Sequence, residues 1–124
     1  MSRTVLVADD AALVRMILRD ILGAEGYAVS EAVNGRDAIE RFCELRPDVA
    51  ILDVTMPELD GLSALREILK RDPDAQVIVV SAQMCSDLRA EALEAGAADF
   101  IGKPFPPQRL LDSVRSCVTA AYSA

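Results

Sequence analysis

Four apolar residues, Val49-Ala50-Ile51-Leu52, run straight into a carboxylate at Asp53. A continuous apolar run of this length reads as a strand buried on both faces, the kind a parallel sheet requires. Pro57 cannot donate to a strand ladder, so the strand ends before it. Asp53 therefore stands at the strand's carboxyl end, the edge where open α/β sheets place their ligands. Three other apolar runs deliver polar residues in the same way. Val5 to Ala8 leads to Asp9 and Asp10, Val77 to Val80 to Ser81, and Phe100 to Gly102 to Lys103. If those strands are neighbours, three acids, a hydroxyl and an ammonium group meet at one edge.

The stretches between the runs carry helical periodicity. Strands are expected over about 4–8, 27–32, 49–53, 76–81 and 98–101, and helices over about 12–24, 36–45, 62–71 and 86–95. A last helix opens at Pro106-Pro107. In the first helix Leu13, Ile17, Leu18, Ile21 and Leu22 are expected to face the core. Asn34-Gly35 marks a turn into the second helix, and Asp60 is placed to cap the third. The fourth is weakly apolar, with Leu88, Ala92 and Leu93 set against Arg89, Glu91 and Glu94. Five βα units with right-handed crossovers give an α/β fold, a five-stranded parallel sheet doubly wound by five helices. The small, alternating second strand belongs nearer a sheet edge. No linker or tandem repeat divides the chain, so residues 1–124 are expected to form a single domain.

Composition narrows the function. With 52% hydrophobic residues in 124, the chain can build a core without disulfides or a structural metal. A net charge of −7 argues against non-specific nucleic-acid binding. No apolar stretch reaches membrane-spanning length, and the N-terminus enters a strand at once, without a signal segment. Cys43, Cys85 and Cys117 are widely spaced and odd in number, as expected of reduced thiols in the cytoplasm. There is no histidine, which excludes His-based zinc sites, Ser-His and Cys-His nucleophile pairs, and a phosphohistidine on this chain.

Taken singly, Asp9-Asp10 could cap a helix, Asp53 could end a strand, Ser81 could cap, and Lys103 could be a solvated lysine. Taken together, three carboxylates at adjoining strand ends repel one another, and the repulsion must be offset. A hard divalent cation with oxygen ligands, Mg2+, does so and keeps room for phosphate oxygens. Lys103 adds a fixed positive charge. Such a set suits phosphoryl transfer, with Asp53 as the nucleophile that becomes an acyl phosphate. The metal and Lys103 would neutralise the phosphoryl oxygens, and Ser81 would hydrogen-bond one of them.

At this point the sequence resembles a receiver domain of two-component response regulators over essentially its whole length. Asp9-Asp10 matches the family's acidic pair, Asp53 its phospho-acceptor and Ser81-Ala82 its switch hydroxyl. Lys103-Pro104-Phe105 matches its Lys-Pro motif, and Met56-Pro57 and Asp60-Gly61 match the loop after the acceptor. Phe100, three residues before the lysine, matches its aromatic switch position. The resemblance implies a strand order of 2-1-3-4-5 and a cis Lys103-Pro104 bond. It also implies a Mg2+ site of Asp10, Asp53 and the Thr55 carbonyl, with Asp9 acting mainly through water. Asp53 to Glu58, Ser81 to Met84 and Asp99 to Phe105 are most similar to single-domain chemotaxis regulators of the flagellar motor. Phe100 departs from the tyrosine common there.

Two rival classes fit less well. A flavin carrier would want a neutral loop after the first strand to hold a phosphate, where Asp9-Asp10 would repel it. A Mg2+-dependent aspartyl phosphatase would want a second acid two residues after the nucleophile, where this chain has Thr55. The resemblance thus implies a signalling module that is not a turnover enzyme, a monomer phosphorylated by a sensor histidine kinase. Its readout would be a separate target such as the flagellar motor switch, or an output domain, and a phosphatase would be a further partner. The other settings to which such a domain belongs are a phosphorelay and a longer regulator. Phosphorylation would draw Ser81 inward, let Phe100 swing, and reshape a face that includes Met84, Leu88, Ala92, Phe100, Pro106 and Pro107.

Overall fold

The computed structural model describes residues 3–56, 58–82 and 86–121. In chain order the elements are β1 (Thr4–Ala8), α1 (Ala12–Ala24), β2 (Ala28–Ala32), α2 (Gly35–Leu45) and β3 (Val49–Asp53). They continue with α3 (Gly61–Arg71), β4 (Val77–Ser81), α4 (Ser86–Glu94), β5 (Asp99–Gly102) and α5 (Pro107–Ala121). The five strands form one parallel sheet in the order β2-β1-β3-β4-β5. This is the expected α/β architecture, and the small second strand does lie at an edge.

Because side chains alternate along a strand, the sheet builds two cores. Leu6, Leu52 and Val79 point to one face, where Phe42 of α2, Leu65 and Ile68 of α3 and Ala92 of α4 cover them. Val5, Val7, Ile51 and Ile78 point to the other, covered by Leu18 and Leu22 of α1 and Leu110 and Val114 of α5. β3 is buried along its whole length, as its unbroken apolar run requires. The strand's carboxyl end is thereby fixed from both faces, which fixes Asp53.

Caps hold the helices that frame this edge. The Asn34 side chain accepts from the Asp37 N–H at 2.7 Å, and Asp60 accepts from the Ser63 N–H at 2.9 Å. Each such cap contributes about 1 kcal/mol. Two glycines allow the loop after β3 to pack closely. A Cβ on Gly61 would stand 2.1 Å from the Asp53 carbonyl oxygen, and one on Gly35 would stand 2.0 Å from that of Leu59. No side chain fits at either place. The loop between them carries Thr55.

Two expectations are corrected. Leu13 and Ile17 are not core residues: they are 63% and 46% exposed, and Met16 beside them is 52% exposed. The helix is wound at roughly 100° per residue, so Leu13 lies about 140° around α1 from Leu18. The inward stripe is therefore narrower, with Leu18 and Leu22 buried and Val14 and Ile21 flanking them. Ala92 and Phe100 are likewise not surface residues. Both are buried in one apolar cluster, because Phe100 occupies the middle of β5 on the face that α4 covers. Leu88 is half-buried against that cluster, whereas Pro106 and Pro107 are exposed as expected. Met84 and Pro57 lie outside the described residues, as do Gln83 and Cys85.

Candidate functional site

The sheet register brings the carboxyl ends of β1, β3, β4 and β5 side by side. Leu52 pairs with Ala8, Asp53 with Val80, and Ser81 with Gly102. Asp9, Asp53, Ser81 and Lys103 each lie at or one residue past those ends, so the expected convergence is present. Backbone bonds lock the ends together. The Val54 N–H donates to the Val80 carbonyl at 3.0 Å, and the Lys103 N–H donates to the Ser81 carbonyl at 2.7 Å. The Lys103-Pro104 peptide bond is cis.

The charged centre is compact. One carboxylate oxygen each from Asp9, Asp10 and Asp53 lies within 4.8 Å of the others. The Lys103 ammonium donates to Asp9 Oδ2 at 2.9 Å and to Asp53 Oδ1 at 3.2 Å. Asp9 and Asp53 are buried, whereas Asp10 is exposed. Asp9 is committed to structure: its Oδ1 also accepts from the Ala11 N–H at 2.9 Å, closing the turn from β1 into α1. Asp10, one residue on, stands at the mouth.

Electrostatics follow from burial. Burial pushes the Asp53 carboxyl above its ordinary value, the Asp9 charge pushes it further, and Lys103 only partly opposes them. Burial alone would depress the Lys103 ammonium. The hydrogen bond to Asp9 and the charges of Asp53 and Asp9 outweigh it, so its pKa is raised. One ammonium shared by two buried acids leaves a net negative centre.

Its donors are hard carboxylate oxygens, and their closeness and uncompensated charge fit a small divalent cation better than a soft or nitrogen-seeking one. Asp9, Asp10 and Asp53 are the carboxylates grouped closely enough to hold it. Ser81 is buried at the end of β4 beside this centre. Phe100 stands off from it, within the core behind α4.

Two sets of residues near the site were not singled out in the sequence. Arg15 donates to the Asp9 carbonyl at 2.8 Å and to Glu31 at 3.0 Å. Asp99 is held by Arg109 through two contacts at 2.8 and 3.1 Å and by the Ser113 hydroxyl at 2.7 Å. The signal available for the second was an acid opening a strand and an arginine ten residues later in the following helix. For Arg15 there was only an arginine on a helix beside a strand that carries Glu31. Lys103 also lines a groove of about 450 Å³ with Arg89, Phe105, Pro106 and Arg109. One side chain thus borders both the acid cluster and the β5–α5 surface.

Comparison with known proteins agrees with this geometry. The response regulator receiver domain model matches residues 5–115. The chain is 49% identical to the chemotaxis protein CheY of Thermotoga maritima, over 92% of this chain and 96% of that protein. It is 44% identical to the chemotaxis protein CheY of Bacillus subtilis, with the same coverage. Among solved structures, the CheX-CheY-BeF3-Mg2+ complex from Borrelia burgdorferi matches with a TM-score of 0.88 and 32% identity, over 92% of this chain and 87% of that one. The sheet order, the acid cluster with its lysine, and the match along nearly the full length lead to one assignment: the chain belongs to the response regulator receiver domains of two-component systems, and is similar to the chemotaxis regulators among them.

Proposed function

We propose that Asp53 is the phospho-acceptor of a single-domain regulator, and that its modification changes what the β5–α5 surface binds. The observation that carries this reading is the Asp53 carboxylate at the end of β3, held 3.2 Å from the Lys103 ammonium and grouped with Asp9 and Asp10. An Asp53 oxygen attacks the phosphorus of a phosphohistidine on a sensor kinase. The P–O bond forms as the P–N bond breaks, and the imidazole leaves with a proton. Lys103 holds the acceptor oxygen in place and then pairs with the phosphoryl oxygens. The Ser81 hydroxyl donates to one of those oxygens. Asp10, Asp53 and the Thr55 carbonyl would hold Mg2+, which would supply neutralising charge to the phosphoryl oxygens.

Thr55 offers no general acid for rapid hydrolysis, so the domain acts as a signalling module with slow loss of the phosphoryl group. Several features support the partner side of the reading. The groove beside Lys103 carries two arginines on an apolar floor, suited to an acidic amphipathic segment of a target protein. Leu13, Met16 and Ile17 form an apolar stripe on α1 just past Asp10, placed to receive the phosphoryl donor. The similar proteins of Thermotoga maritima and Bacillus subtilis are chemotaxis proteins, which favours a flagellar motor or similar target here. Among the described residues no helix is long and apolar enough to cross a membrane, and a cytoplasmic site of action fits a kinase-fed receiver.

The test is a comparison of amide NMR spectra with and without beryllofluoride and Mg2+. Shifts should spread from Asp53 through Ser81 to Phe100 and the groove residues. Shifts confined to the acid cluster would instead favour a slow aspartyl phosphatase.

A further inference from the structure

The turn that carries Asp9 and Asp10 is anchored from a side that the phosphoryl chemistry does not use. Arg15, on α1, is mostly buried, with its side chain 15% exposed. Its Nη1 donates to the Asp9 carbonyl at 2.8 Å and its Nε donates to Glu31 Oε1 at 3.0 Å. Glu31 belongs to β2, opposite Val7 of β1, and its other oxygen pairs with Arg19 Nη2 at 3.2 Å. A guanidinium is planar, so two donors in use at once fix the separation and tilt of their two acceptors. Arg15 thus sets the Asp9 carbonyl against the rigid edge of the sheet.

The remaining polar groups of Asp9 are also engaged. Its N–H donates to the Ala32 carbonyl at 3.2 Å, and its carboxylate accepts from Ala11 and Lys103. The Asp9 carbonyl and the Asp10 N–H belong to one planar peptide unit, so holding the first sets the direction in which residue 10 leaves the strand. We propose that Arg15, braced by Glu31, is a positioning residue for the divalent-cation site: it aims Asp10 at the centre occupied by Asp53. This rests on the reading of Asp10 and Asp53 as the cation's ligands.

The experiment titrates Mg2+ into wild type, Arg15→Ala, Arg15→Lys and Glu31→Gln, following backbone amide shifts and the Mg2+-induced rise in Tm. Loss of a group that orients a metal ligand weakens binding by about tenfold or more, and that is the result expected for Arg15→Ala. Arg15→Lys, a point charge that cannot span both acceptors, should fall between it and wild type. Glu31→Gln should weaken Mg2+ in the same direction by less. Phosphorylation of Arg15→Ala by a small acyl phosphate should be slow at low Mg2+ and recover at saturating Mg2+. If Arg15→Ala lowers the metal-free Tm but leaves the Mg2+ affinity within roughly twofold of wild type, the proposal is overturned and Arg15 only fastens α1 to β2. Should that variant not fold, Glu31→Gln decides, and an unchanged Mg2+ affinity there overturns it equally. A wild type that binds no Mg2+ would defeat the ligand reading instead, a separable outcome.

Discussion

The Lys103 ammonium lies 3.2 Å from the Asp53 carboxylate, reaching from the end of β5 past β4 to the end of β3. The same ammonium lies 2.9 Å from Asp9 at the end of β1. One side chain therefore joins the ends of three strands, and it does so with charge. Any change in the charge on Asp53 is felt first by Lys103, whose backbone continues into the cis Pro104 and the groove beyond.

Removing that ammonium should leave two buried acids without their cation. For Lys103→Ala, breaking a buried ion pair from one side predicts a loss of about 3 kcal/mol in the metal-free protein, read by urea unfolding. Mg2+ should restore part of the loss, and the variant should still accept some phosphoryl group while its β5–α5 response is blunted. The sign with pH is fixed by the raised pKa of Lys103. Its contribution is full below the ordinary value of 10.5 and is lost as pH rises through the higher folded value. An unfolding free energy equal to wild type would show that the contacts to Asp9 and Asp53 carry no net stability.

Asp10 adds to the repulsion around Asp53 yet is exposed. Asp10→Ala should therefore raise metal-free stability, by less than about 1 kcal/mol. It should also abolish most of the stabilisation by Mg2+, which for wild type is about 1.4 kcal/mol at a free concentration ten times Kd. Paired thermal melts with and without Mg2+ check both. A lower metal-free Tm in the variant would count against the repulsion argument.

The Asp99–Arg109–Ser113 network fastens the start of β5 to α5. Although burial opposes it, the bonds from Arg109, Ser113 and the Phe100 N–H hold the Asp99 carboxyl below 3.8. A carboxylate with a lowered folded pKa stabilises above its unfolded value and loses that contribution as pH falls through the folded one. Asp99→Asn should thus cost about 1–3 kcal/mol at neutral pH, the scale of hydrogen bonds to a charged group. The gap from wild type should close in acid, below pH 3.8, as Asp99 itself becomes protonated. Urea titrations across that range give the curve, and a gap independent of pH would assign the loss to packing.

Much of this was legible because the fold is written in period and punctuation. The apolar run 49–52 dictated a buried parallel strand, and its terminal Asp53 fell where such strands present functional groups. Asn34 and Asp60 announced helix starts that the observed caps confirm. Composition and spacing could not give the strand order, which the family resemblance supplied, nor the azimuth of α1. Leu13 and Ile17 look like core residues in a list, but the helix turns them away from Leu18 and Leu22. Phe100 and Ala92 were placed on a surface because a switch face was sought there, whereas the alternation along β5 puts the Phe100 ring inside. Arg15 and Asp99 escaped notice because their partners lie across element boundaries, in contacts that only the three-dimensional register creates.

The central claim is that Asp53 alone receives the phosphoryl group. The most direct measurement is the intact mass of the protein after incubation with Mg2+ and a small acyl or amido phosphate donor, for wild type and Asp53→Asn. The account predicts one added phosphoryl group on wild type, removed by a chelator present from the start, and none on Asp53→Asn. An adduct of the same extent on Asp53→Asn would contradict it.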